Sequence, residues 1–563
     1  MNPLLMLKTQ RVIYLSLLDD GNILEAIKTF EKYQNHLKTY ADADKETQNI
    51  VLKEINSSRK IFIDKLNNIA KIYLDKEDYN KAAVCLSEVI HYWSKNIYCI
   101  INYIICLYNL KQYDIEEEFL EYLKTLINDN ADIIILKDLS KLYARIGRID
   151  SAVLYMKEYI NSVGENKITY EDYEILGSYY NELYTSNNHN DMQCILDSID
   201  CLLKADELNP TSVSVTRKIA MTASLINNFQ LGKLYWDKLF QINPPTQDDL
   251  FEYSTFCLKT KDFKGFEKFF DCRFTKETNP LTLLFPKINK PQWKGENISD
   301  KTLLILFEQG FGDTFLMYGY TQRLVKLAKK VIFIVQDSIY PLLKDNDLGV
   351  EILTYSFADI DNIAFDYYIP SMSLPAALNL DKNNISLGSG YIKADKELTA
   401  IFKKKYFNNN KFKIGIAYAG KKNGNKVRNI PIHEFLPLDN LDNIEIYPLM
   451  IDTPDDCYEI FKNNNVTILK QDMHSFKETA ALIENCDLII SSDNVILNLA
   501  GAMGKKTFGI FNWYYEFRWF DLTGEDVVWY KSVKPFVNTS MNDWQSSISR
   551  VVNEIKKLQN INP

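Results

Sequence analysis

From the N-terminus to about residue 275 the chain repeats one hydrophobic pattern. Apolar residues recur at helical spacing, and short polar turns break them just ahead of an aromatic or aliphatic residue. "YLDKEDYNKAA" places Tyr79 after such a turn, "LYNLKQYDIEE" places Tyr113, "YARIGRIDSAV" Ile149, "ASLINNFQLGK" Phe229 and "FCLKTKDFKGF" Phe263. Tyr79 to Tyr113 is 34 positions, Tyr113 to Ile149 is 36, and Phe229 to Phe263 is 34. Ala82, Ala83 and Ala152 supply small side chains where two helices approach. Pro210 and the Pro244–Pro245 pair follow helical stretches, which a proline ends. Ser186 to Gln193 reads as a loop expansion inside one repeat. The pattern predicts helical hairpins that stack, because one pair alone cannot bury its apolar face. An irregular helical bundle is the plainer alternative.

Around Asn279–Glu296 the pattern stops, with Pro280, Pro286 and Pro291 ahead of Trp293 and Gly295. Proline at this density marks an extended linker. Short apolar runs then alternate with helical stretches. "TLLIL" (Thr302–Leu306), "VIFIVQ" (Val331–Gln336) and "DYYIP" (Asp366–Pro370) are predicted strands, with a helix over "TFLMYGYTQRLVKLAKK". The alternation restarts with "KFKIGIAYAG", "IEIYPLM", "VTILK", "DLIISSD" and "KTFGIF" as strands, and "SFKETAALIENC" and "NVILNLAGAM" as helices. Such β-α-β order predicts parallel sheets. The expected organisation is a helical repeat domain over 1–278, a linker over 279–296, and α/β domains over 297–400 and 401–563. A last helix, about Asn542 to Leu558, is expected outside the second sheet, packing back across the hinge. Two α/β domains facing each other make a cleft, a usual place for a ligand.

Composition narrows the chemistry. The 563 residues are 46% hydrophobic and 25% charged, as in globular proteins. The formal charge of −9 argues against a broad nucleic-acid-binding surface. Nine scattered cysteines without a Cys-x-x-Cys, and five histidines without ligand spacing, point to a reducing cytoplasm and to no metal site. Lys8 and Arg11 interrupt the apolar N-terminus, which reads as an amphipathic helix rather than a signal peptide. No apolar run approaches the ~18 residues of a membrane span.

There is no Walker lysine motif, no third glycine after "GFG", and no Gly-x-Ser-x-Gly elbow. Two polar constellations remain, each after a predicted strand. The first is "EQGFGDT", with Gln309, Gly310, Gly312, Asp313 and Thr314. Its glycines allow close backbone approach, and Asp313 either caps the next helix or points into the cleft. The second is "ISSDNV", with Ser491, Ser492, Asp493 and Asn494. It is either a helix N-cap or the start of an anion site built on free N–H groups.

From Pro291 to about Trp529 the chain resembles the bacterial glycosyltransferase-like region found behind tetratricopeptide repeats. That region is related to ADP-heptose:LPS heptosyltransferases and, more distantly, to protein O-GlcNAc transferases. The blocks that carry the resemblance are "PQWKGE", "LLILFEQGFGDTF", "DYYIPSMSLPAALNL", "GYIKAD", "FKIGIAYAGKKNGNKVRNIPIHEF", "SFKETAALIENCDLIISSDNVILNLAGAMGKKTFGIF" and "WYYEFRWF", in that order. The helical period is similar to that of tetratricopeptide repeats themselves.

The resemblance implies a GT-B fold: two Rossmann-like domains, with the acceptor on the side of the first and a nucleotide sugar bound mainly by the second. It implies inverting chemistry without a metal and without a cofactor beyond the nucleotide-sugar donor. Asp313 would be the base, the helix after Asp493 would stabilise the departing diphosphate, and Arg428 would bind phosphate. Lys421 and Lys422 are weaker phosphate candidates or a solvated loop. Tyr418, Gly420 and Met450 would border the base of the nucleotide. Asn498 stands where the family has a histidine, Asn494 where it has threonine, Gly319 where it has arginine, and Met450 where it has glutamine.

The expected function is a cytoplasmic glycosyltransferase acting on a protein or peptide held by the helical array. Two alternatives stand beside it: a heptosyltransferase-like enzyme with a lipid or polysaccharide acceptor, and a degenerate transferase serving as a repeat scaffold. The array itself is either a peptide-binding groove or a spacer. The oligomeric state is left open.

Overall fold

In the computed structural model the described residues are all but 1–2, 39–43, 129–132, 187–190, 276–287, 347, 359, 388–389, 421–427, 452–464, 468 and 562–563. Lys421, Lys422, Pro280, Pro286 and part of the expected loop at Ser186–Gln193 lie outside them. The chain divides into two compact units, Met1–Leu183 and Tyr184–Pro563.

Among the described residues the first unit is built of helices and the turns between them. It contains the hairpins Pro3–Asp19 with Ile23–Lys38, Lys45–Asp75 with Tyr79–Tyr92, Ile97–Asn109 with Tyr113–Asn128, and Ile133–Arg145 with Ile149–Ser162. Each hairpin turns through one left-handed residue, Gly21, Glu77, Lys111 or Gly147, two positions before its second helix. The repeated aromatic and aliphatic positions of the sequence are therefore the first residues of second helices. They do not mark a core position, since Ile149 is buried while Tyr113 is 55% exposed. The small residue three positions later is the core position: Ala82 and Ala152 are fully buried.

The second unit opens with three more helices of the same design, Met192–Leu208, Val213–Leu225 and Phe229–Ile242, then Gln247–Lys259 and Phe263–Phe269. Asn227 and Lys261 supply its left-handed turns. Gly232 takes the small position, where a Cβ would lie 2.8 Å from the Phe256 ring. Asp249 forms a capping box with Thr246 and pairs with Arg217 at 2.6 and 3.0 Å. In the first unit Lys137 and Asp172 hold the matching positions and also pair.

Two parallel sheets follow. The first runs β3-β2-β1-β4, with β1 Thr302–Leu306, β2 Lys330–Val335, β3 Glu351–Thr354 and β4 Tyr367–Pro370. The second runs β10-β9-β8-β5-β6-β7, with β5 Phe412–Ala417, β6 Ile444–Pro448, β7 Asn465–Val466, β8 Leu488–Ser492, β9 Thr507–Phe511 and β10 Val533–Val537. This is a helical repeat array followed by two α/β domains, each built on one parallel sheet. Each sheet order reverses at one point, between β1 and β4 in the first and between β8 and β5 in the second. Open α/β sheets bind ligands at such points.

Several expectations change. The sequence pattern lacks β3 and β10. β3 is a four-residue edge strand, and β10 carries Pro535, which an edge strand tolerates because one side needs no donor. The helix expected from Thr314 to Lys330 begins earlier, at Phe311, and stops at Tyr318, with only Thr321–Leu324 beyond. Gly319 sits in the gap, and a Cβ there would lie 2.8 Å from Tyr391 Cζ and 2.9 Å from Leu387 Cδ1. The last helix, Trp544–Ile561, does not cross a hinge. Its Trp544, Ile548, Val551 and Ile555 bury against Ile414, Ile416, Phe508 and Ile510 of the second sheet.

The first α/β domain is tied to the end of the helices by a buried ion pair. Arg273 donates two hydrogen bonds to Glu308, at 2.7 and 2.9 Å, and a third to Ser373 at 2.7 Å. Glu308 also accepts the Met372 N–H at 3.3 Å.

Candidate functional site

The site grows from the two turns that end β1 and β8. After β1 the chain turns through Gln309, whose φ of 63° is left-handed, and Gly310 caps the helix Phe311–Tyr318. Asp313 is therefore not the N-cap. It is the third residue of the helix, and its Oδ2 accepts the Gly310 N–H at 3.0 Å. This is the half of a capping box that reaches back. The other oxygen, Oδ1, accepts from Arg518 Nη1 of the second domain. Capping and facing the second domain are thus simultaneous properties of one carboxylate. Thr314 is turned away: it is fully buried and donates to Gln336 Oε1 at 2.9 Å.

After β8 the polar cluster organises the helix Val495–Met503. Asn494 is its N-cap, accepting the Ile496 N–H at 2.8 Å and donating to Ala417 O and Ser492 Oγ, each at 3.1 Å. Ser492 is thus consumed in holding the cap. Asp493, one residue earlier, is buried and pairs instead with an arginine. Its Oδ2 meets Arg428 Nη1 at 3.4 Å.

The two helices meet at Gly312 and Asn498. A Cβ on Gly312 would lie 2.7 Å from Asn498 Nδ2, so glycine is required for this approach. Asn498 is buried, accepts from the Tyr530 hydroxyl at 3.0 Å, and donates to Asn494 O at 3.2 Å. Both hydrogen bonds stay within the second domain, and the side chain packs against Gly312 of the first.

Burial pushes Asp313 above the ordinary carboxyl range; Arg518 and the Gly310 N–H pull it back only in part. Asp493 is raised for the same reason, with Arg428 and Arg518 opposing. Burial opposes the charge on Arg518, but Asp313, Glu516 and Asp493 outweigh it and hold the guanidinium protonated. The arrangement is a chain of alternating charge, Asp313, Arg518, Asp493 and Arg428, running from one domain to the other. A raised carboxylate beside cations suits proton abstraction next to a departing anion.

Of the other expected residues, Gln309 is exposed at the rim, 3.5 Å from Arg518 Nη2. Gly420 donates its N–H to Asn429 at 3.0 Å and has open space where a Cβ would be. Tyr418 is buried in the second domain's core against Phe435, so its ring does not border an open cleft. Met450 is half-buried, its sulfur 3.4 Å from the Ala419 N–H. Arg518 and Tyr530 are the residues the sequence reading passed over. The signal for Arg518 was present, an arginine among the aromatics of "WYYEFRWF", but nothing in that block fixes what it faces. Among the described residues no group of three or more His, Cys, Asp or Glu is placed to hold a metal ion, and no helix is long and apolar enough to cross a membrane.

No family model matches the chain. It is 24% identical over 300 residues to Protein FlbA of Caulobacter vibrioides, a match covering 47% of this chain and 48% of that protein. The chain thus spans about half the length of the curated relative it matches. Among solved structures, a glycosyl transferase family 9 protein of Veillonella parvula superposes with a TM-score of 0.35 and 9% identity, over 47% of this chain and 98% of that one. PilF of Pseudomonas aeruginosa superposes with a TM-score of 0.31 and 14% identity, over 41% of this chain and 95% of that one.

Proposed function

We propose that the protein is an inverting glycosyltransferase that moves a sugar from a nucleotide sugar to an acceptor hydroxyl. The observation that carries this reading is the convergence of Asp313 from the first sheet's reversal point with Asp493, Arg428 and Arg518 from the second domain. In the reaction, the acceptor oxygen bonds to the anomeric carbon as its proton passes to Asp313. The bond from that carbon to the diphosphate breaks, and the electron pair leaves on the diphosphate oxygen. In this reading the N-terminal end of the Val495–Met503 helix and the two guanidiniums meet that developing charge. Preorganised donors and cations of this kind do the work a metal does elsewhere. The acceptor is proposed to be a protein or peptide presented by the helical repeats, which as a class offer extended binding surfaces. Isothermal calorimetry of the full chain against a panel of nucleotides and nucleotide sugars tests the donor site. Binding of one nucleotide class, followed by sugar transfer to a peptide library, is the expected result.

A second reading has one specific observation in its favour. Asn498 stands where the resemblance expects a histidine and is hydrogen-bonded to Tyr530 and Asn494. A repeat scaffold with a closed, inactive transferase region would show the same. Absence of any nucleotide binding in the panel would favour it.

A further inference from the structure

We propose, on the strength of the transferase reading above, that Arg518 is a positioning residue shared between two anions, the Asp313 carboxylate and the donor diphosphate. Donor binding draws it from the first to the second and so frees Asp313 to act as base.

The geometry supports an exchange rather than a fixed pair. Arg518 sits in the turn Phe517–Trp519, and its carbonyl accepts from Trp529 Nε1 at 2.7 Å, which fixes the backbone. The side chain is less committed. Nη1 meets Asp313, Nη2 reaches Gln309 only at 3.5 Å, and the buried Nε has no hydrogen-bond partner. A guanidinium offers five donors in a planar fork, so most of its capacity is unspent. A diphosphate is the anion such a fork matches.

Charge balance points the same way. Asp313 and Asp493 are offset by Arg518 and Arg428. The other groups facing Asp313 are Glu308, Glu516 and Tyr530, and Glu308 already holds Arg273. A diphosphate entering here brings further negative charge, and among the described residues no additional cation faces Asp313. Arg428 pairs with Asp493, whereas Arg518 interacts with both carboxylates. Once Arg518 moves, Asp313 keeps only the Gly310 N–H, and burial raises its proton affinity with less opposition. With an acceptor bound, the proton it accepts comes from the acceptor hydroxyl as the oxygen attacks; with no acceptor present, the same rise in proton affinity draws a proton from solvent. The leaving diphosphate carries away the bonding electron pair, beside Arg518.

The test uses the full chain and inorganic pyrophosphate, titrated near pH 6 in buffers of different ionisation enthalpy. The difference in proton uptake between wild-type and Asp313→Asn isolates the Asp313 carboxyl from protons exchanged by the probe. The expected result is up to one proton taken up by wild-type relative to Asp313→Asn. Arg518→Met should weaken pyrophosphate at least tenfold and abolish that difference, whereas Arg428→Met should weaken binding and leave it. If Arg518→Met does not fold, Arg518→Lys, which lacks the fork, should still weaken binding about tenfold. Equal affinity in the Arg518 variants, or equal proton uptake in wild-type and Asp313→Asn, overturns the exchange. If a nucleotide binds wild-type and the Arg518 variants alike, the exchange fails while the donor site stands. If neither pyrophosphate nor any nucleotide binds wild-type, the transferase reading fails, and the exchange with it.

Discussion

Asp313 and Arg518 stand 205 positions apart in the chain and form an ion pair between the two α/β domains. The carboxylate comes from the helix after β1 and the guanidinium from the turn after β9. Neither has a full set of partners within its own domain. Asp313→Asn keeps the acceptor for the Gly310 N–H but cannot take a proton. Turnover of the true donor should fall about 10²- to 10⁴-fold, the usual worth of a positioned base. Initial rates at saturating donor measure it, and an unchanged rate removes Asp313 from the base role.

Gly312 is the point where the two domains' helices touch. Adding a methyl group places it 2.7 Å from Asn498 Nδ2, itself held by Asn494 and Tyr530. Gly312→Ala should destabilise the protein by about 1–3 kcal/mol, the range for overpacking a tight contact. A urea denaturation midpoint reads this. Gly310→Ala is the control, because its Cβ would lie an ordinary 3.5 Å from Asp313 Oδ2.

Removing Arg273 leaves Glu308 buried without its cation. Arg273→Met should destabilise the second unit by about 3–5 kcal/mol, the range for breaking a buried pair from one side. Deleting residues 1–275 removes the same arginine. That truncation should therefore melt well below one that begins near residue 190, when both are followed by circular dichroism.

Asp249 sets a pH dependence. Burial alone would raise its carboxyl, but the hydrogen bonds from Arg217 and Thr246 outweigh it and hold the group below 3.8. Asp172 is depressed likewise by Lys137 and Thr169 against the burial. A depressed carboxyl contributes stability that is present above its unfolded value and lost as pH falls through the folded one. The helical repeats should thus lose stability below about pH 3.8. Asp249→Asn should flatten part of that loss in melts between pH 5 and about 3.

Lys111 turns its hairpin at φ 59°, a conformation that disfavours a side chain with a Cβ. Lys111→Gly should stabilise the first unit by about 1 kcal/mol, because strain relief exceeds the added chain entropy. A rise in melting temperature is the expected reading, and a fall would show that the lysine side chain contributes more than the strain.

The sequence alone determined the two kinds of architecture and where one yields to the other. Helical period and β-α-β alternation are local properties, written by side-chain spacing within about a dozen residues. Most strands could be read for that reason. The edge strands β3 and β10 could not, because a short strand, or one with Pro535, carries little local pattern. The polar turns at Asp313 and Asp493 were legible as candidates since each ends an apolar run with residues that cap helices. Their roles were not legible. Whether Asp313 capped or faced the cleft depended on Arg518, and whether Asn498 faced a ligand depended on Gly312 and Tyr530. Such partners lie 32 to 205 positions away. Charge pairing and burial act through space, so only the tertiary structure decided which carboxylate is buried, which cation reaches it, and which polar residue packs where the domains touch.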